Sequence, residues 1–174
     1  MIETKRLLLR PMHLNDVDDL LHIFTDPRVM SSFDGELFDH EQMERWVLSN
    51  LDHQERHGYG LFSIILKENG LLIGDSGLEH MAIDGEVQAE LGYDLRSDYW
   101  GRGLATEAAS AVRDYAFGTL DIPRLVSLIR MGNGASRRVA EKVGMSLEAE
   151  IERYGRPYWL YALSRAEARP GRPD

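Results

Sequence analysis

The sequence predicts one α/β domain, a mixed and mostly antiparallel sheet of about seven strands with helices on its faces. Three observations predict it. The apolar periodicity switches repeatedly between the helical and the strand period, giving the order β-α-α-β-β-β-α-β-α-β-β. The connections between these segments are short, with no repeat and no low-complexity linker among them. The length of 174 residues suits a single domain with a substantial core, and 43% hydrophobic with 28% charged residues is ordinary globular composition. The domain is placed at 1–164, and the Pro-, Gly- and Arg-rich tail 165–174 is expected to fray.

"RLLLRPM" (6–12) is a short apolar run stopped by Pro11 and reads as a strand. "NDVDDLLHIFTD" (15–26) spaces Val17, Leu20, Leu21 and Phe24 as a helix, with acids in the first turn where the dipole favours them. "DHEQMERWVLSNLDHQERHG" (39–58) is a longer amphipathic helix. Its stripe is Met43, Trp46, Val47 and Leu51, and Gly58 supplies the stop. Two apolar runs around "KENG" form a hairpin over 59–81, and the alternating "EVQAELGYDL" (86–95) adds a third strand. "GLATEAASAVRDYAFG" (103–118) is helical, with Leu104, Ala108, Val112 and Tyr115 on one stripe. "RLVSLIRM" (124–131) is a buried strand. "NGASRRVAEKVGM" (133–145) is a short helix, capped by Asn133 and ended by Gly144. "SLEAEIERYG" and "RPYWLYALS" close the chain as a hairpin.

Composition excludes several functions. With no cysteine there is no disulfide, thiolate metal site or cysteine nucleophile. A net charge of −9 argues against a general nucleic-acid binder and suits a cationic partner. The N-terminus lacks a signal-peptide pattern and no apolar run is long enough to span a membrane, so a cytoplasmic protein without membrane contact is expected. "HQERH" (53–57) places two histidines at i and i+4, a spacing that suits zinc. It is not the H-E-x-x-H pattern, since Gln54 follows the first histidine, and no metal site is expected.

The most informative stretch is "YWGRGLATEA" (99–108), where two glycines and an arginine lie directly before a helix start. A helix N-terminus offers unpaired N–H groups and about half a positive charge, and glycines let an anion come close to them. The loop is neither a Walker A motif nor a dinucleotide fingerprint, because Thr106 stands where the third glycine would be. A tight turn without a ligand remains the alternative at this point.

"AELGYDLRSDYWGRGLATEA" (89–108), "NGASRRVAEKVGM" (133–145) and the opening "ETKRLLLRPMHLNDVDDL" stand in an order and spacing that resemble the GNAT superfamily of N-acetyltransferases, over essentially the whole chain. The branch most resembled is the RimJ/RimL-like one, which acetylates ribosomal-protein N-termini. The resemblance implies a splayed central pair of parallel strands, 86–95 and 124–130, with acetyl-CoA in the gap. Its pyrophosphate would meet the backbone of Gly101, Arg102, Gly103, Leu104, Ala105 and Thr106, and the Arg102 side chain would add a charge-assisted contact to phosphate, with a solvated surface arginine as the alternative. The pantetheine would pair with backbone at Asp94 and Leu95, and Asn133 would bond its amide. Gly103 and Ala105 match the family pattern, whereas Trp100 stands where glutamine or arginine is usual.

Acetyl transfer to an amine needs a neutral nucleophile, donors for the oxyanion and a hydrogen bond or proton for the leaving thiolate. Glu90 resembles the strand glutamate that serves as base in several members of this superfamily; a cross-strand salt bridge on a solvated face is the alternative, and His80 is the rival base. The family's helix tyrosine is absent, since Ala140 occupies its place. Ser136 matches the serine of the RimL-like branch, which bonds the sulfur, although a serine in a first turn also makes purely local bonds. For the acceptor end, Asp34, Glu36, Tyr59 and Trp46 are candidates. The function expected is acetyl-CoA-dependent N-acetylation of a primary amine, a protein N-terminal α-amine or a small molecule, by direct attack in a ternary complex. The alternative is a non-catalytic acyl-CoA-binding module on the same fold. The branch also makes a homodimer possible.

Overall fold

The alternation of "EVQAELGYDL" becomes a strand that presents Leu91 and Leu95 to one core and Glu90, Gly92 and Asp94 to the opposite face. Around it the computed structural model, which describes residues 1–33 and 36–168, builds one eight-stranded sheet. The strands are β1 (Ile2–Glu3), β2 (Leu7–Pro11), β3 (Leu61–Leu66), β4 (Leu72–Ile83), β5 (Glu86–Leu95), β6 (Arg124–Arg130), β7 (Ser146–Arg153) and β8 (Arg156–Ser164). Their spatial order is β1-β2-β3-β4-β5-β6-β8-β7, and every neighbouring pair is antiparallel except β5–β6. The sheet thus has one strand more than the sequence suggested. A two-residue strand such as β1 carries no period to read.

The helices are α1 (Val17–Phe24), α2 (Pro27–Met30), α3 (His40–His57), α4 (Leu104–Gly118) and α5 (Gly134–Val143). On one face α4 packs Leu104, Ala108 and Val112 against Ile64, Leu78 and Leu91. On the other, α1 and α3 bury Leu20, Ile23, Met43 and Val47 against Leu61 and Leu72. The expected caps are present. Asp39 and Gln42 exchange backbone bonds of 2.7 and 2.8 Å at the start of α3, and Gly58 ends it at φ 76°.

The first helix begins later than its pattern suggested, because Asp16 is committed elsewhere. Asp16, 4% exposed, accepts two bonds from Arg10 at 2.6 and 2.8 Å, one from Ser63 Oγ at 2.7 Å and one from the His13 N–H at 2.9 Å. It fastens the chain entering α1 to β2 and β3. Helix α2 was absent from the periodicity because four residues make one turn. Its start is nevertheless written in "DPR", where Asp26 accepts the Arg28 N–H at 2.9 Å and Pro27 opens the helix. Of the tail expected to fray, residues 165–168 turn back onto the domain. The Arg165 N–H donates to Pro123 O at 2.9 Å and the Ala168 N–H to Ser164 O at 3.0 Å. Residues 169–174 lie outside the described residues.

The feature that positions the site is the β5–β6 pair. These parallel strands are in register only at Ala89↔Leu125 and Glu90↔Val126. Beyond those residues they part, while β5 keeps its ladder to β4 as far as Gly74↔Leu95.

Candidate active site

Two clefts meet where β5 and β6 separate. The first, about 440 Å³, runs from the glycine turn to α5 and is lined by Leu95, Trp100, Gly101, Gly103, Leu104, Ala105, Thr106 and Val139, among others. The second, about 380 Å³, opens past Glu79, Glu90, Gly92, Leu128 and Tyr158. Ser32, Tyr93, Asp94, Asn133 and Ser136 line both. The missing ladder is partly replaced by side chains: Ser127 Oγ donates to Leu91 O at 2.7 Å, and the Leu128 N–H donates to Glu90 Oε1 at 3.2 Å.

The glycine turn is built as its sequence requires. A short 3-10 turn (Ser97–Tyr99) leads into Gly101 and Gly103, both at φ 75°, in the left-handed region that other residues enter only with strain. Open space lies where a Cβ of Gly101 would stand. No side chain caps α4 at Gly103, so the amides of its first turn face the cleft unshielded. Arg102 is placed differently from its neighbours. Its carbonyl accepts from Arg6 at 2.9 Å, and its guanidinium lies 5.0 Å from the Tyr99 ring centroid, outside the residues that line the cleft. Arg28, Arg138 and Lys142 line it instead. The sequence pattern did not single them out, because exposed cations on helices carry no motif. Trp100 closes one side, with its indole N–H donating to Leu95 O at 2.9 Å.

At the junction, Asn133 is the cap the sequence predicted: its Oδ1 accepts the Ser136 N–H at 3.1 Å while its Nδ2 donates to Ser32 Oγ at 2.9 Å. Ser136 accepts the Tyr93 hydroxyl proton on its carbonyl at 2.8 Å, and among the described residues nothing bonds its Oγ. Ala140, where the family's tyrosine would be, is fully buried. Tyr93 supplies a phenol at the junction from β5 instead, with burial raising its pKa. Alternation along "LGYDL" sets Tyr93 and Asp94 on opposite faces of β5, yet both line the two clefts.

Glu79, Glu90 and Asp94 line the second cleft, with Arg130 and Arg153 also on its wall. Cross-strand register sets Glu79 directly opposite Glu90 and Asp75 opposite Asp94, four carboxyl groups on one face of β4 and β5. Burial, opposed by the Leu128 N–H and reinforced by Glu79, raises Glu90 to about 7. Burial and Glu79 raise Asp94 to about 7, and burial raises Glu79. Asp75, 1% exposed, is driven well above the usual range by burial and then by Asp94 and Glu79, and its Oδ2 has no hydrogen-bond partner. Glu79 and Asp75 escaped the sequence reading because their strand shows no motif, and only register reveals the opposition. The alternative reading of Glu90 as an exposed salt bridge does not fit this half-buried, carboxylate-flanked position.

A stability prediction arises here. A carboxyl whose folded pKa is raised binds its proton more tightly in the folded state, so it destabilises the fold progressively as pH rises from the unfolded value through the folded one. Asp75→Asn is therefore expected to raise the melting temperature at pH 8 by a few degrees, about 1 kcal/mol or more, with the gain vanishing near pH 4. Thermal melts of both chains across that range check it; an unchanged or lower melting temperature at pH 8 contradicts it.

The other candidates lie elsewhere. His80 points to the face of β4 opposite Glu79 and lines neither cleft, which removes it as a base in this arrangement. Tyr59 packs on His53 and His80 at 5.6 and 5.4 Å between centroids, and Trp46 packs on Phe24 at 5.2 Å in the helical core. Glu36 is exposed, and Asp34 lies outside the described residues.

This architecture is that of an acetyltransferase. The chain belongs to the acetyltransferase (GNAT) domain family, whose model matches residues 6–146. Among its relatives, the uncharacterized YkkB of Bacillus subtilis is 35% identical over 91% of this chain and 92% of that protein. The uncharacterized N-acetyltransferase p20 of Bacillus licheniformis is 31% identical over 87% of this chain and 85% of that one. An acetyltransferase structure from Agrobacterium tumefaciens superposes with a TM-score of 0.80, at 33% identity over 93% of this chain and 92% of the other. RimL, a ribosomal-protein α-N-acetyltransferase solved with coenzyme A, shares the fold with a TM-score of 0.78 at 21% identity, over 92% of this chain and 95% of that one. The RimJ/RimL-like reading is thereby supported at the level of fold. Among the described residues no helix is long and apolar enough to cross a membrane.

Proposed function

We propose that the protein transfers the acetyl group of acetyl-CoA to a primary amine by direct attack, with acetyl-CoA in the first cleft and the amine in the second. The observation that carries this reading is the junction: two clefts of different chemistry share Tyr93, Asp94, Asn133 and Ser136 at the point where two parallel strands part. The first cleft fits acetyl-CoA on three counts. Left-handed Gly101 and Gly103 and the uncapped α4 amides suit a pyrophosphate. Arg138 and Lys142 add positive charge, and the parted strands leave a slot for an extended arm. When bound, acetyl-CoA supplies the activated acyl group.

The protein's own residues have three tasks. Glu79, Glu90 and Asp94 attract an amine that arrives protonated. Glu90 then takes its proton. An ordinary carboxylate near 4.3 would accept from an α-ammonium near 8 at a cost of about 5 kcal/mol, whereas Glu90 at about 7 faces a gap of one unit, about 1.4 kcal/mol. A lysine-like amine near 10.4 would still face about 3.4 units, so an acceptor of low pKa, such as an α-amine, suits this base best. Ser136, whose Oγ carries no hydrogen bond among the described residues, donates a hydrogen bond to the departing sulfur, and the second amine proton leaves on that thiolate as the C–S bond breaks.

No covalent acyl-enzyme is part of this scheme, and the chain has no cysteine to carry a thioester intermediate. Initial velocities at varied concentrations of both substrates should give intersecting lines; parallel lines would contradict direct attack. Ser136→Ala should lower kcat about tenfold while leaving acetyl-CoA affinity within about twofold. Full turnover in that variant would take Ser136 out of the chemistry.

A further inference from the structure

The two histidines of "HQERH" gain a third in the fold. His53 and His57 share one side of α3 near its end. Strand β3 stops at Leu61↔Gly77, which leaves the outer edge of β4 open beyond Leu78, and the end of α3 lies along that edge. The His80 N–H accordingly donates to His53 Nε2 at 3.1 Å rather than to a strand. The rings of His57 and His80 lie 3.8 Å apart between centroids, and one nitrogen from each of the three side chains falls within 4.8 Å of the others.

We propose that His53, His57 and His80 form a binding site for one Zn²⁺-class transition-metal ion, which ties the end of α3 to β4. His53 already has the outer partner that metal-bound histidines use. Its Nδ1 lies 2.8 Å from Tyr59 O, so the proton sits on Nδ1 and the Nε2 lone pair faces His80. His57 and His80 are exposed, so their side chains are free to close the nitrogens to the roughly 3.3 Å that tetrahedral bonds of 2.0–2.1 Å require. Metal binding requires the His53 ring to turn its Nε2 off the His80 N–H, which stands on that lone pair at 3.1 Å, and on this exposed edge water then takes up the freed N–H at little cost. Arg56, beside His57 in the chain, is paired with Asp52 at 2.9 Å. Three neutral imidazoles with a fourth position left to water suit Zn²⁺ and not Mg²⁺ or Ca²⁺, which take oxygen ligands. The site stands apart from both clefts, so it acts as a staple and does not depend on the acetyl-transfer reading.

The test is a calorimetric titration of Zn²⁺ into the full chain, carrying no added histidine tag, at pH 7.5. One equivalent should bind with a Kd at or below about 1 μM, and the melting temperature should rise with Zn²⁺ but not with Mg²⁺. His57→Ala and His80→Ala, both at exposed positions, should each weaken binding at least tenfold and abolish the Zn²⁺-dependent rise, while melting like the parent chain without metal. His53 is left intact because it also holds backbone. Absence of saturable binding would overturn the proposal. So would a His80→Ala chain that binds as tightly as the parent, because the helix pair alone would then account for the metal.

Discussion

Glu90→Gln is expected to lower kcat at pH 8 by about 10²–10³-fold, within the range that a positioned general base contributes. The sign of the pH dependence follows from the raised pKa. Glu90 accepts a proton only when ionised, so the parent enzyme's kcat falls as pH drops through about 7. In the variant the part of that limb due to Glu90 disappears, and what remains comes from the acceptor's own ionisation and from Asp94, which burial and Glu79 also raise to about 7. The loss is therefore greatest above pH 7 and shrinks at pH 5.5, where the parent's Glu90 is itself protonated. Acetyl-CoA affinity should be unchanged, because Glu90 lines only the second cleft. A full pH–kcat profile of both chains checks this. A variant that keeps the parent rate at pH 8, or loses rate equally at all pH values, would remove Glu90 as the base.

The second large effect concerns the cofactor cleft. Thr106→Glu is expected to weaken acetyl-CoA binding at least 100-fold while leaving stability unchanged or slightly raised. The two halves of this prediction have one cause. Thr106 is in the first turn of α4, where a carboxylate is favourable to the helix dipole by about 0.3–1 kcal/mol. The same carboxylate occupies the amides that would receive the pyrophosphate and adds a like charge beside it. Calorimetry with acetyl-CoA and a thermal melt on the same sample separate the two. Tight binding in this variant would mean that the pyrophosphate does not lie on the α4 N-terminus.

Much of this was legible in the chain. The period of "EVQAELGYDL" placed β5 over its observed span and put Glu90 and Asp94 on one face, because a half-buried strand writes its faces in alternation. Gly101, Gly103, Asn133 and Gly144 announced the turn, the cap and the stop, since positive φ and helix ends demand particular residues. What escaped depends on pairs distant in sequence. The opposition of Glu79 to Glu90 and of Asp75 to Asp94 is a property of β4–β5 register, and the meeting of His80 with His53 and His57 is a property of where β3 ends. Arg102 illustrates the opposite failure. It stands in the most informative motif of the chain, yet its side chain goes to Tyr99, because sequence position fixes the backbone of a turn and not the direction of a long exposed side chain.

In the proposed function the two clefts meet in order to join an acyl group to an amine. The most direct measurement is thiol released from acetyl-CoA by the purified chain, across a panel of N-terminal peptides and small primary amines; the protein contributes no thiol of its own. The predicted result is release that saturates with acceptor, exceeds hydrolysis without acceptor, and is matched mole for mole by acetylated amine. Acetyl-CoA binding with no acceptor-dependent release across the panel would contradict the account and leave a module that holds acyl-CoA without transferring its acyl group.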